Sequence, residues 1–225
     1  MIALKLLIFL LIGLTLAGVA LNMLRTILKN LSPNDNKIQA DIKQMRTEIA
    51  PYTNDLVPLE SEELELMSLN QLNQSLKKGM MTTAKGVFTS IYQEPLIAYS
   101  YKKYIGNNNA LLYARTATKE IVYRFTKKGV KVAINQKYYG TIKGGKLYGQ
   151  NNKQLLAQVN TRPTDLMLPV LVGNKEVGML NSPEQISKSP QPRAFQFVNN
   201  SITEEEETAF LTLAVLELVQ KSVGD

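Results

Sequence analysis

The first patterned segment, Leu6 to Leu24, reads LLIFLLIGLTLAGVALNML, with no charge and only Thr15 and Asn22 as polar side chains. At 1.5 Å per residue it is about 28 Å long, close to the hydrocarbon thickness of a bilayer, and predicts a transmembrane helix over residues 6–24. Gly18, Val19 and Ala20 after the single early charge Lys5 allow the alternative of a signal peptide cleaved near Ala20. Apolarity continues past that point through Ile27, Leu28 and Leu31 and stops at Ser32-Pro33, which favours an anchor over residues 1–31. Arg25, Lys29, Lys37 and Lys43 follow the run and Lys5 alone precedes it, so the expected topology is single-pass with a cytoplasmic C-terminal domain at a bacterial-type membrane. Cleavage would instead leave that domain secreted or periplasmic.

Residues 32–84 read as a helical linker. Ile38, Ile42, Met45 and Ile49 recur at spacings of four, three and four, one stripe of a helix ending near Pro51. The stripe needs cover, from the protein's own domain or from a second copy. Leu64, Met67, Leu69, Leu72 and Leu76 predict another helix from Ser61 to Lys78, with Gly79 as its stop.

From residue 85 the period shortens to two. Ten segments read as strands: GVFTSIY, PLIAYSY, ALLYAR, EIVYRF, VKVAI, YYGTI, QLLAQV, LMLPVLV, EVGML and RAFQFV. Turn residues between them predict an antiparallel sandwich or barrel, and Pro169 assigns its segment to an edge or bulged strand. Sliding the chain along itself aligns VAINQKYYGTI (132–142) with VLVGNKEVGML (170–180) without a gap. Each copy predicts a hairpin, turning at Asn135-Gln136 or Gly173-Asn174, with a glycine, Gly140 or Gly178, where a bulge or close approach is expected.

The last helix is of another kind. Ser201 with Glu204, and Thr203 with Glu206, have capping-box spacing, and Glu204 to Glu207 suit a helix N-terminus. Between Ala209 and Val219 only Thr212 and Glu217 interrupt the apolar residues, so nearly the whole circumference is hydrophobic over about 17 Å. Such a helix is too short to span a bilayer and too apolar for a surface, so it is expected inside the sheet.

Strand-rich hairpins of the form x-K-x-x-G-x-[IL], an acidic cap, then ETAFLTLAVLELVQ resemble the tubby-like superfamily, which includes the phospholipid scramblases and the LURP-one-related proteins. The resemblance covers residues 85–221. It implies an antiparallel barrel of about twelve strands around a hydrophobic C-terminal helix, and a tendency toward membrane lipid. The sequence has neither a phosphoinositide motif nor an acidic calcium loop, so no functional residue is carried over. The expected architecture is mainly β with helices, the β domain occupying residues 85–225.

Composition narrows the chemistry. With no cysteine and no histidine, disulfides, thiolate metal sites and Ser-His-Asp or Cys-His catalysis cannot be built. The net charge of +7 is concentrated: residues 101–150 hold eleven Lys and Arg against Glu120 alone. Within that block Arg124, Lys127, Lys128 and Lys131 are the candidate contacts for anionic lipid, with Arg25 and Lys29 beside the anchor; nucleic acid ranks last. A solvated outer face accounts for the same lysines, because Arg124 and Lys131 alternate with the core positions Tyr123, Phe125, Val130 and Val132. The acid clusters Glu60, Glu62, Glu63 and Glu65, and Glu204 to Glu207, lie at predicted helix starts, where the dipole explains them. Lys143-Gly144-Gly145-Lys146 lacks phosphate-loop spacing and reads as a turn.

Three functional classes remain. The first is a membrane-tethered, non-enzymatic binding or scaffolding module with no cofactor, whose partners are the bilayer and a membrane protein. The second binds or handles anionic phospholipid, which a basic surface beside the anchor would support. The third is a carboxylate or tyrosine enzyme, which carboxylates converging in a barrel-end cavity would support.

Overall fold

The computed structural model describes residues 2–31, 33–59, 61–106, 109–159, 167–181, 192–199 and 201–224; the side chains of residues 2–10, 29, 61, 62 and 167 lie outside that description. Three helices, α1 (Ile2–Leu31), α2 (Asp35–Thr53) and α3 (Ser61–Glu65), precede the sheet. Its strands are β1 (Met67–Lys77), β2 (Thr82–Ser90), β3 (Pro95–Lys103), β4 (Ala110–Arg115), β5 (Glu120–Thr126) and β6 (Gly129–Ile134). The sheet continues with β7 (Lys137–Lys143), β8 (Lys146–Gly149), β9 (Leu155–Val159), β10 (Met167–Val172), β11 (Lys175–Asn181) and β12 (Phe195–Val198). Helix α4 (Glu204–Val223) follows.

The twelve strands form one antiparallel meander in which each pairs with the next. An antiparallel bridge between Ser68 and Arg193, with Ala194 N–H donating to the Met67 carbonyl at 2.7 Å, brings the start of β1 to the residues ahead of β12. The result is a nearly closed barrel, which leaves few edge groups to attract another chain.

Helix α4 threads this barrel. Thr203 caps it: its hydroxyl accepts from Glu206 N–H at 3.2 Å, while the Glu206 carboxylate accepts from Thr203 N–H at 2.9 Å. Gly224 ends it in the left-handed conformation at φ +72°. Phe210, Leu213, Ala214 and Val219 have no exposed surface. Burial of such Leu, Val and Phe side chains contributes about 1.5–3 kcal/mol each. The short, all-round apolar helix is therefore the barrel's core.

Strands β3 and β4 are buried on both faces, so PLIAYSY and ALLYAR show little alternation. Ile97, Tyr99, Leu112 and Ala114 belong to the inner core with α4. Ala98, Leu111 and Tyr113 meet Ile38, Met45 and Ile49 of α2 in a second, outer core. The α2 stripe is thus covered by the protein's own domain. Ile42 is only partly buried and Asp41 fully so, and the helix continues past Pro51 to Thr53.

Two expectations are corrected. The helix expected over Ser61–Lys78 is a five-residue helix followed by β1, so the barrel begins at Met67, inside the segment read as linker. Asparagines 70 and 73 weaken the helix, and Asn73 adopts φ +53°, which asparagine tolerates, at a register shift against β2. The strand count is twelve because β1 and β8 join the ten expected. Strand β10 is interior, paired on both sides; Pro169 faces Met179 just beyond Val170, where the β9 ladder stops, and the expected bulge lies at Val170/Leu171.

The internal repeat is structural. Hairpins β6–β7 and β10–β11 shift register at the same repeat position, Val132/Ala133 and Val170/Leu171, opposite Gly140 and Gly178. A Cβ at Gly178 would stand 2.8 Å from the Phe210 ring, and one at Gly140 would collide with the Tyr148 carbonyl, so both glycines are close approaches.

In α1, the window Leu11–Leu28 has mean hydropathy 1.7 and none of it is buried, so it is long and apolar enough to cross a bilayer. Length and composition serve a signal sequence equally.

Candidate functional site

An antiparallel meander sends alternate turns to alternate ends. The connections β1–β2, β3–β4, β5–β6 and β7–β8 therefore share one rim, traced by the pairings Thr82 with Lys103, Lys103 with Ala110, Thr126 with Gly129, and Lys143 with Lys146. Each connection brings lysines: Lys77 and Lys78, Lys102 and Lys103, Lys127 and Lys128, then Lys143 and Lys146. No acid occurs in these four connections. The tight turns hold the lysines at the tip, Gly144 and Gly145 both at positive φ (+53° and +71°) between Lys143 and Lys146.

Helix α2 joins this rim to α1. Asp35, its first residue, accepts from Arg124 Nη1 at 2.7 Å, two residues before the end of β5. Asp41 is 2% exposed and accepts from Lys37 at 2.6 Å, Lys102 at 3.0 Å and the Tyr104 hydroxyl at 2.7 Å. Burial opposes its charge, but these hydrogen bonds together outweigh burial and lower its pKa. Tyr104 is shifted the other way, by burial first and then by Asp41, and stays a protonated donor. Further along α2, Arg46 pairs with Glu120 at 2.7 Å and Glu48 accepts from Ser100 at 2.9 Å. Helix α2 is thus latched across the outer wall with its start at the lysine rim. Helix α1 departs from that same rim.

The opposite end is electrostatically different. Two of its lysines are answered by the acids of the α4 cap: Lys119 faces Glu207 at 3.5 Å and Glu204 at 3.9 Å, and Lys175 faces Glu206 at 3.9 Å. The C-terminus of α4 lies at the lysine rim, where Gly224 sits beside Lys78. The helix dipole therefore presents its negative end to the lysines and its positive end to the glutamates.

A cleft of about 420 Å³ opens on the wall below the rim, lined by Lys128, Lys131 and Lys143 with Tyr138, Thr141, Gln150 and Asn152 among its polar groups. Tyr138 and Thr141 share a hydrogen bond of 2.7 Å, and Gln150 donates to the Tyr138 carbonyl at 2.8 Å. The lining is cationic and hydroxylic, with no carboxylate.

A larger cavity of about 840 Å³ at the far end is lined by Glu204, Glu205 and Glu206 beside Tyr139, Leu155 and Val172. Its carboxylates do not converge. Consecutive helical residues point about 100° apart, Glu206 is held in the capping box and Glu204 reaches Lys119. Burial raises the phenol pKa of Tyr139, with Glu205 adding to the effect, and of Tyr99, to about 12 against an opposing Gln71 hydrogen bond. Neither phenol is activated as a base or nucleophile. Among the described residues no group of three or more Asp or Glu could hold a metal ion.

The residues expected to contact anions are only partly free. Arg124 is bound to Asp35 and acts as a strut for α2. Lys127, Lys128 and Lys131 are exposed at and below the rim, and Lys128 and Lys131 converge in the cleft. Arg25 is exposed on α1; Lys29 lies in α1 with its side chain outside the described set. Sequence reading left Lys77 and Lys78 out altogether, and counted Lys102, Lys103, Lys143 and Lys146 in the basic block without naming them as contacts. A signal existed, because the doublets Lys77-Lys78, Lys102-Lys103 and Lys127-Lys128 recur every 25 residues, one hairpin repeat.

Fold and site together define a class, a nearly closed antiparallel barrel with a central helix and lysines on four connections of one end. No protein-family model matches the chain, and no curated protein or solved structure matches it.

Proposed function

We propose that the chain is a membrane-tethered, non-enzymatic binding module that lays the lysine rim of its barrel on an anionic bilayer. The observation that carries this reading is that α1 departs from the end of the barrel at which the β1–β2, β3–β4, β5–β6 and β7–β8 connections bring lysines and no acid. Three residues separate Leu31 from Asp35, four steps that span at most about 14 Å of chain, and Leu24 to Leu31 adds about 10 Å of helix. The rim is thus held within about 25 Å of the end of the apolar run, a reach that includes the headgroup layer. Each lysine near an anionic surface contributes about 1 kcal/mol, so several on one rim act as a strong patch.

The tubby-like resemblance belongs to this proposal. Twelve strands around a C-terminal helix agree with the fold that it implies. A cytoplasmic placement of the barrel fits too, because the cytoplasmic leaflet carries the anionic lipid.

The experiment is vesicle co-sedimentation of a chain starting at Pro33, its folding checked by circular dichroism. Binding is expected on phosphatidylserine vesicles, weakening steeply as salt rises, and absent on phosphatidylcholine alone. Reversing Lys127, Lys128 and Lys131 to glutamate should remove it, whereas reversing Lys153 at the opposite end should not. Equal binding to both vesicles, or to neither, returns the rim to a solvated surface.

A further inference from the structure

The first rim connection differs from the others in carrying an apolar tip. It reads Lys77-Lys78-Gly79-Met80-Met81 before β2 opens at Thr82. Met80 is 70% exposed, the most exposed large apolar side chain among the described residues, and Met81 beside it is partly buried. A Cβ built on Gly79 would meet nothing within 4 Å except the Met81 carbonyl, at 3.8 Å, so the turn is open at Gly79. A solitary exposed methionine on a wall would carry no message. This one stands at the rim from which α1 departs, directly behind two lysines and beside three further lysine-bearing connections.

We propose that the tip Gly79-Met80-Met81 is a wedge that enters the acyl boundary of an anionic bilayer while Lys77 and Lys78 hold the phosphates above it. The wedge rests on the rim reading, and it adds a contact that salt cannot screen. Methionine suits the place: unbranched and flexible, it fills irregular apolar surroundings such as lipid chains. The lysine stems can lie along the same boundary with their ammonium groups in the headgroup layer. Tyr92, 69% exposed in the β2–β3 connection at the opposite end, is the internal control. It is as bare as Met80 and has no reason to enter lipid.

The absence of native cysteine makes the test direct. Met80→Cys, Lys128→Cys and Tyr92→Cys are each labelled with a polarity-sensitive fluorophore in the full chain. Each is then reconstituted through α1 into phosphatidylcholine vesicles containing about a third phosphatidylserine. The label at 80 should shift to the blue and be quenched by lipids spin-labelled high on the acyl chain. The label at 128 should respond only to headgroup-labelled lipid, and the label at 92 to neither. Quenching at 80 by headgroup-labelled lipid alone would overturn the wedge and leave the rim reading intact. Labels at 80 and 128 that behave like the one at 92 would overturn both.

Discussion

Tyr123 of β5 donates its hydroxyl to the main-chain carbonyl of Thr212 in α4 at 2.9 Å, and neither residue has exposed surface. The phenol reaches from the wall to the axis and fixes the depth and rotation of the helix in the barrel. Burial raises its pKa well above the ordinary tyrosine value, so it remains a donor. Tyr123→Phe keeps the ring and removes one bond to a carbonyl within the helix. The expected cost is about 1 kcal/mol in denaturant unfolding, with an unchanged circular dichroism spectrum.

Helix α4 is expected to be indispensable to the barrel. Leu213→Asp buries a carboxylate at a position with no exposure and should abolish the cooperative melt of the barrel. Glu205→Ala, at the exposed cap, removes only a favourable dipole interaction and should cost under about 1 kcal/mol. A Leu213→Asp protein that melts like the parent would contradict the threaded-helix fold.

Gly178→Ala sets a methyl group 2.8 Å from the Phe210 ring and 3.0 Å from the Phe197 carbonyl. The aromatic ring is itself packed against Phe195, with centroids 5.2 Å apart, and has little room to yield. Overpacking of this kind costs about 1–3 kcal/mol. Thermal melts of Gly178→Ala beside Gly79→Ala, whose site is open, separate the packing effect from the backbone effect of losing a glycine.

The latch of α2 should be sensitive to acid. Asp41 has a folded pKa below its unfolded value of about 3.9: burial opposes its charge, and the hydrogen bonds from Lys37, Tyr104 and Lys102 prevail. Folding therefore favours the ionised form. Its contribution is present above the unfolded pKa and is lost as pH falls through the folded one. Limited proteolysis between α1 and α2 should accelerate only below about pH 4 in the parent. Asp41→Asn should be cleaved faster at neutral pH and lose that acid step.

Much of this architecture could be read from the chain, and the misses share a cause. The period-two segments, the repeat and the capped apolar helix depend on local patterning, and their residues carry it. Strand β1 could not be read this way. Leu72 and Leu76 keep a helical spacing yet are 42% and 40% exposed, because bulges in the β1–β2 ladder, not alternation, decide which way they face. The short β8 owes its existence to neighbours on both sides. The basic block was legible as charge. Its division into a strut, Arg124, and a rim depended on which turns share an end, a property of pairing order that no single segment contains.

The same pairing order constrains how the molecule can change. In a meander, a turn's end is set by whether its place in the series is odd or even. A lone strand inserted between β2 and β7 would reverse that parity for every later turn and scatter the lysines between both ends. Inserting a whole hairpin would preserve it. Lineages of this fold are therefore free to lengthen the barrel two strands at a time, and a homologue with an odd insertion must have rewritten its charges or changed the face it presents.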